Sequence, residues 1–257
     1  MSDMTLDISQ TRPVPFGRLT AVEIRKMADT RAGVWLLGLT VLVTAAFMII
    51  FFLVADSEDR ILGNFIGIAA TPQGFVLPVL GILLITSEWG QRTAMVTFAL
   101  EPSRAKVIAS KVVAALILGL GAFVAAIALG SLGTLVGGAD GGFDNLKATT
   151  FLLFLGLQIL GILQGLAYGL IFLNTPAAIV TYFVLPIASS IIFAVVPALQ
   201  DSAPWVDLGT AQEPLFELGS GGELTGDQLA HLGTTALIWI LLPFVIGLAR
   251  VMRAELK

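Results

Sequence analysis

Residues 34–54 of the chain read VWLLGLTVLVTAAFMIIFFLV, a stretch without Asp, Glu, Lys or Arg. A helix rises about 1.5 Å per residue, so roughly 20 apolar residues cross the hydrocarbon core of a bilayer. The stretch therefore predicts a membrane-spanning helix. Stretches of the same kind follow at 65–87, 112–136, 151–173, 177–199 and 232–249. Together they predict an all-α polytopic protein with six transmembrane helices in one transmembrane domain, 1–257.

The composition agrees with a protein whose main solvent is lipid. Apolar residues make up 56% of the chain and charged residues 12%, whereas a soluble domain is about a quarter charged. This excludes an ordinary soluble enzyme, and the absence of cysteine excludes a disulfide-stapled secreted domain. The chain has one histidine, His231, and no GxxxxGK[ST] phosphate-binding loop. We therefore expect no catalytic site, metal site or bound cofactor, and any ATP that is used must be bound by another polypeptide.

The basic residues predict the orientation. With both termini and the 88–111 connection on one side, that side carries 12 of the 14 Lys and Arg residues. Lys and Arg are enriched in cytoplasmic loops, so this side is predicted to be cytoplasmic. Of the 18 acids, 11 fall on the opposite side. We expect a multi-pass protein of the cell (inner or plasma) membrane with both termini in the cytoplasm.

Two segments outside the spans have their own patterns. Residues 16–31 place Phe16, Ile24, Met27 and Ala28 on one arc of a helical wheel, although Glu23 interrupts the pattern. A basic, partly amphipathic helix just before a span is typical of the membrane interface; a solvated flank is the alternative. Residues 200–231 lack Lys and Arg but contain apolar anchors. We expect an external re-entrant helical segment there, ending at His231 with an interface rather than a catalytic role.

The connection after the second span is the most informative. From Ser87 it reads SEWGQRTAMVTFALEPSRAKVIASK. A simple link between antiparallel helices needs about 2–8 residues, and 88–111 is far longer. Its middle, 93–100, is helical in pattern, and Pro102 favours a new helix start. We predict a short helix held against the cytoplasmic face; a hairpin without a partner is the alternative.

The spans contain neutral polar residues and a stripe of small residues. The candidates for a translocation path are Gln73, Gln158, Gln164, Tyr168 and Tyr182. Such side chains line a pathway or form hydrogen bonds between helices, and the second use is commoner. The spacing of Gly161, Gly165 and Gly169 repeats GxxxG, which predicts close packing against a neighbouring helix.

The 88–111 segment, together with six spans and a basic interfacial helix, resembles ABC-2-type transporter permeases, most closely the actinobacterial subset. That family carries E-[YW]-x-x-[GR]-T after the second span and later P-x-[SR]-R and a lysine. The matching residues are Glu88, Trp89, Arg92, Thr93, Pro102, Ser103, Arg104 and Lys111. Arg92 stands where many members have glycine.

The resemblance implies the membrane subunit of an ATP-driven exporter. Its partners would be two cytosolic P-loop ATPase subunits, which bind the ATP and Mg, and a second copy or paralogue of the permease, all in membrane lipid and without nucleic acid. Residues 16–31 would be the elbow helix and 91–100 the helix that couples the ATPase to the spans. Glu88, Arg92 and Arg104 would bond to the ATPase surface. The alternative is an anchoring or signalling subunit that docks a cytosolic partner without transport.

Overall fold

The computed structural model describes residues 14–137, 141–143, 147–219 and 224–254. Within these ranges the chain is helical without a strand, and six helices are long and apolar enough to cross a bilayer. The helices are α1 (Phe16–Asp29), α2 (Arg31–Val54), α3 (Leu62–Gly90), α4 (Ala94–Leu100), α5 (Arg104–Gly137), α6 (Ala148–Phe172), α7 (Thr175–Val195), α8 (Ala203–Val206), α9 (Leu208–Gly219), α10 (Gly226–Ala236) and α11 (Leu242–Arg253). The predicted all-α, six-span fold is confirmed.

Most of the spanning helices are longer than the apolar stretches, whereas the fifth is shorter. The third span, α5, begins at Arg104 rather than 112, directly after the break at Pro102. The last span begins at Gly226 rather than 232, because Thr225 and Gln228 form a capping box that starts the helix within polar sequence. It continues through a π-helical turn, Leu237–Leu241, into α11. The fifth span ends at Val195 rather than 199, since Pro197 lacks an N–H to continue the helix.

Helix α3 is the centre of the bundle. It packs against α2, α5, α6 and α7, and it has the most buried apolar stretch of the six candidate spans, 56%, against 6% for α7. Its closest neighbour is α6, whose Gly161, Gly165 and Gly169 face it. A Cβ on Gly165 would overlap with the carbonyl of Pro78 in α3. The glycine stripe is therefore used for packing within the chain.

The segment between α7 and the last span folds back onto the bundle. Trp239 Nε1 donates to Val206 O over 2.7 Å, and the Trp205 ring meets the His231 ring edge-on at 4.3 Å between centroids. His231 lies inside α10, not at the end of a loop. Helix α9 packs on α6 and α7. Residues 220–223 of the predicted re-entrant segment lie outside the described residues.

Asp207 fixes this segment to α7. Its carboxylate accepts hydrogen bonds from the hydroxyls of Ser189 (2.8 Å) and Ser190 (2.9 Å) in α7. It also accepts bonds from the N–H and hydroxyl of Thr210, each over 2.9 Å, and so caps the start of α9. Burial alone would raise the pKa of Asp207, but these donated bonds outweigh it and hold the pKa below its usual range.

Both described ends of the chain meet at the start of α5. Lys106 Nζ donates to Val14 O over 2.6 Å, and Arg104 donates to Val251 O (2.6 Å) and Ala254 O (2.8 Å). We call this end of the bundle, with α1, α4 and the adjoining ends of α3, α5 and α11, the basic end. Residues 1–13 and 255–257 of the predicted cytoplasmic termini lie outside the described residues.

Candidate functional site

A tight turn at the basic end leads from α3 into α4. The N–H of Thr93 donates to Glu88 O over 2.8 Å, and Arg92 adopts a left-handed conformation with φ of 57°. A side chain in that region costs about 1–2 kcal/mol per residue, a cost that glycine does not carry. Glycine at this position would adopt the same conformation without that cost. The side chains of Arg92 and Thr93 are exposed.

Helix α4 has two different faces. Ala94 and Phe98 point inward and are buried, and the Phe98 ring lies 6.4 Å from the half-buried Trp89 ring and 5.3 Å from the Arg104 guanidinium. The outer face is apolar and exposed: Met95 is 49%, Val96 60% and Leu100 77% exposed. Because the outer apolar face of α4 is exposed, a partner protein or lipid can pack against it.

Behind α4, four charged side chains from three helices form a cluster of which three members are buried. Lys26 Nζ in α1 lies 2.8 Å from Glu23 Oε1 and 2.6 Å from Glu88 Oε1. Lys111 Nζ in α5 lies 2.7 Å from Glu23 Oε2 and 3.0 Å from Glu88 Oε1. We call these residues the ion cluster. Its two cations and two carboxylates cancel, which is the condition under which charges are tolerated in an interior.

The ion cluster accounts for the positions of Glu88 and Glu23. Glu88 was expected to reach an ATPase surface, but it is only 7% exposed and is held by Lys26 and Lys111. It therefore positions α3 against α1 and α5. Glu23 was expected to interrupt the inner face of 16–31; it lies on that face, beside buried Met27, because Lys111 reaches it there.

Lys26 is the most accessible member of the ion cluster, with a side chain 39% exposed. Burial would lower the pKa of its ammonium, but the bonds to Glu23 and Glu88 outweigh burial, so the pKa lies above the usual value. The ammonium stays charged at neutral pH. The same side chain borders a cavity of about 320 Å³ between α1, α2, α3 and α4, also lined by Gln91 and Thr97.

Arg104 also turns inward. Its guanidinium donates through Nη1 to carbonyls at the end of α11. Next to it, Pro102 and Ser103 are exposed. The Lys106 ammonium, with a smaller contribution from the Ser103 N–H, holds the pKa of the Glu101 carboxyl below its usual range. The 101–106 corner is therefore a fixed connection between α4 and α5.

The polar candidates within the spans separate into two groups. Gln158, Gln164 and Tyr182 line a cavity of about 350 Å³ between α3, α6, α7, α9 and the π-helical turn. Gln73 does not; it is buried and donates to Ala122 O over 3.1 Å, which ties α3 to α5. Tyr168 is also buried away from the cavity and pairs with Gln164 over 3.3 Å.

Sequence reasoning did not select three members of these sites. Lys26 and Glu23 were treated as parts of an interfacial helix, and Gln212 of α9, which also lines the 350 Å³ cavity, was treated as part of a loop. The available signal was charge: Glu23, Glu88 and Lys111 stand next to apolar spans, where a lone charge is expensive.

No protein-family model and no curated protein matches the chain. Function must therefore be argued from the geometry of the basic end and of the cavity in the spans.

Proposed function

We propose that the chain is the membrane subunit of an ATP-driven exporter of the ABC-2 type. In this proposal α4 receives the movement of a cytosolic P-loop ATPase, which binds ATP and Mg, and passes it to the spans. The observation that carries the proposal is the construction of α4: its outer face is exposed and apolar, and its inner face is anchored in the bundle.

The connections of α4 support transmission of a force. Phe98 belongs to the same apolar core as residues of α3, α5 and α6. Arg104 bonds the start of α5 to the end of α11, and the ion cluster bonds α1, α3 and α5 together. A displacement of α4 would therefore act, through Phe98, on helices that these bonds hold together. A simple hairpin without a partner needs none of these bonds.

The docking surface in this proposal is revised from the sequence motif. Arg92, Thr93, Pro102 and Ser103 are exposed and remain candidates for contact with the ATPase. Glu88, Arg104 and the half-buried Trp89 hold α4 in place from behind. The sparsely buried surfaces of α2 and α7 are available to lipid or to the second copy that an ABC-2 architecture requires.

The proposal is tested by purifying the tagged full chain from its native membranes in a mild detergent and quantifying co-eluting proteins by mass spectrometry. We expect a P-loop ATPase in near-equimolar amount. Val96→Asp on the outer face of α4 should lower its recovery at least tenfold. Met252→Asp is the matched control, because it places the same charge at the basic end on a different exposed apolar residue.

A folded, monodisperse wild-type protein without an ATPase would overturn the exporter proposal. A different cytosolic protein in equimolar amount, lost in Val96→Asp, would instead favour the anchoring or signalling alternative. If Val96→Asp and Met252→Asp reduce the recovery of the ATPase equally, α4 has no specific role in binding it.

A further inference from the structure

The cavity in the spans has the make-up of a small-molecule site. Its volume of about 350 Å³ falls in the range of about 300–1,000 Å³ that is typical of ligand pockets. Its walls are mainly apolar, with Phe154 and Leu157 of α6, Leu208 of α9 and Ile240 of the π-helical turn among them. Helix α9 thus completes the wall of the cavity. The cavity therefore lies between the segment that follows α7 and the middle of the bundle.

Access to the cavity is from the side of α3. Thr71 and Gly74 line it and are exposed, so it is not a sealed void. Phe75 and Phe183, each next in sequence to a lining residue, stack with their ring centroids 5.9 Å apart. The cavity itself is lined by the aromatic side chains of Phe154 and Tyr182, which favours ligands with flat apolar parts.

The polar side chains in the cavity are neutral, and some of their hydrogen-bonding atoms have no partner among the described residues. Among the described residues, Gln158 and Gln164 form side-chain hydrogen bonds through Nε2 alone, to Gly119 O and to the Tyr168 hydroxyl. Their carboxamide oxygens are left to accept bonds. Gln212, which has no side-chain hydrogen bond within the described part of the chain, adds a further carboxamide. The cavity therefore offers both donors and acceptors.

Charge sets the class of ligand. None of the described residues that line the cavity is ionisable except Tyr182, and the ion cluster has its charges already paired at the basic end. An ion brought into such a cavity would lose its hydration without gaining a counter-charge, which costs several kcal/mol. An uncharged molecule with hydrogen-bonding groups would lose far less.

We propose that this cavity binds an uncharged amphipathic small molecule, held by apolar and aromatic contacts and oriented by Gln158, Gln164 and Gln212. That the ligand is also the exported substrate rests on the proposed function; the binding itself does not.

The test uses the full chain in phospholipid nanodiscs without ATP, and Nile red, an uncharged amphipathic dye, as the probe. We expect saturable fluorescence above that of empty nanodiscs. Ala70→Phe, which fills the cavity, and Gln164→Leu, which removes a carboxamide, should each weaken binding at least tenfold. Gln73→Leu is the matched control because it makes the same change at a buried glutamine outside the cavity, and its affinity should stay within twofold.

Competition tests the charge preference. Uncharged N-phenyl-1-naphthylamine should displace Nile red, whereas cationic rhodamine 6G and anionic anilinonaphthalene sulfonate should compete at least tenfold more weakly. Equal competition by the charged dyes would overturn the inference, as would an absence of saturable binding by both uncharged probes. Native mass spectrometry that finds a phospholipid retained by the wild type and lost in Ala70→Phe would also overturn it, because the cavity would then hold a structural lipid.

The two proposals fail separately. If the dye binds as expected but the protein purifies without an ATPase, the proposed ligand site is supported and the exporter function is contradicted. If an equimolar ATPase co-purifies but dye binding does not depend on the cavity, the exporter function is supported and the proposed ligand site is contradicted.

Discussion

Lys111 Nζ lies 2.7 Å from Glu23 Oε2, with the two side chains only 3% and 5% exposed. The pair joins α5 to α1 across 88 positions of sequence. Each residue alone would be an expensive charge beside apolar spans, and together with Lys26 and Glu88 they form a neutral group. A few ion pairs therefore hold α1, α3 and α5 together at the basic end, and the loss of one charge leaves its partners unbalanced.

The first prediction concerns the coupling within the ion cluster. Lys111→Met leaves Glu23 and Glu88 with Lys26 as the remaining cation, and breaking a buried pair in this way costs about 3–5 kcal/mol. Adding Glu23→Leu restores one balanced Lys26–Glu88 pair and should recover more than half of that loss. Unfolding in detergent, followed by tryptophan fluorescence, measures both changes.

Lys106→Met is the control for this cycle, because Lys106 lies on the same helix in a more exposed pair with Glu101. Its loss should destabilise the protein less than Lys111→Met does, because ion pairs that solvent can reach contribute little. A double variant as unstable as Lys111→Met alone would show that the two residues do not act as a pair.

The second prediction separates backbone strain from charge at Arg92. Since φ at this residue is 57°, Arg92→Gly should raise the stability of the protein by up to about 1 kcal/mol. If the guanidinium also contacts the ATPase, the same variant should recover less ATPase while melting at a higher temperature. Arg25→Gly, in the middle of α1, is the control and should lose about 1 kcal/mol. Equal destabilisation by both changes would contradict the strain argument.

The third prediction uses two glycines of α6. A Cβ on Gly165 would overlap with the Pro78 carbonyl, whereas a Cβ on Gly156 would meet nothing within 4 Å. Gly165→Ala must push α3 and α6 apart and should destabilise the protein by about 1–3 kcal/mol. Gly156→Ala should be neutral or stabilising, as alanine favours a helix over glycine by up to about 1 kcal/mol. Similar unfolding midpoints for the two variants would refute the packing assigned to the stripe.

Much of the architecture followed from the sequence because lipid imposes one dominant rule. A run such as 34–54 can cross a bilayer only as a helix, so length and composition locate it. The short α4 was also predictable, since Pro102 ends the helical pattern of 93–100. Boundaries were less accurate: α5 begins before Lys111, and its polar first turns carry no hydropathy signal.

The partners of individual charges could not be predicted. Glu88 and Arg104 belong to a motif-like segment and so suggested an outer surface, but each is used inside the chain. Their partners, Lys26 and the carbonyls at the end of α11, are 62 and about 150 positions away, and sequence patterns carry no information on contacts at such separations. The same holds for Gln212, which reaches the cavity because α9 folds back.

The last prediction is a pH dependence at Asp207. Its pKa is lowered in the folded protein by bonds from the Thr210 N–H and from Ser189 and Ser190, so its contribution to stability is present above the unfolded pKa of about 3.9 and is lost as pH falls through the lower folded value. Asp207→Asn should cost about 1.5–3 kcal/mol at pH 6–7, and its deficit relative to wild type should shrink below about pH 4. Thermal unfolding between pH 3 and 7 measures this. A pH-independent deficit for Asp207→Asn would contradict the ionic bonding assigned to it.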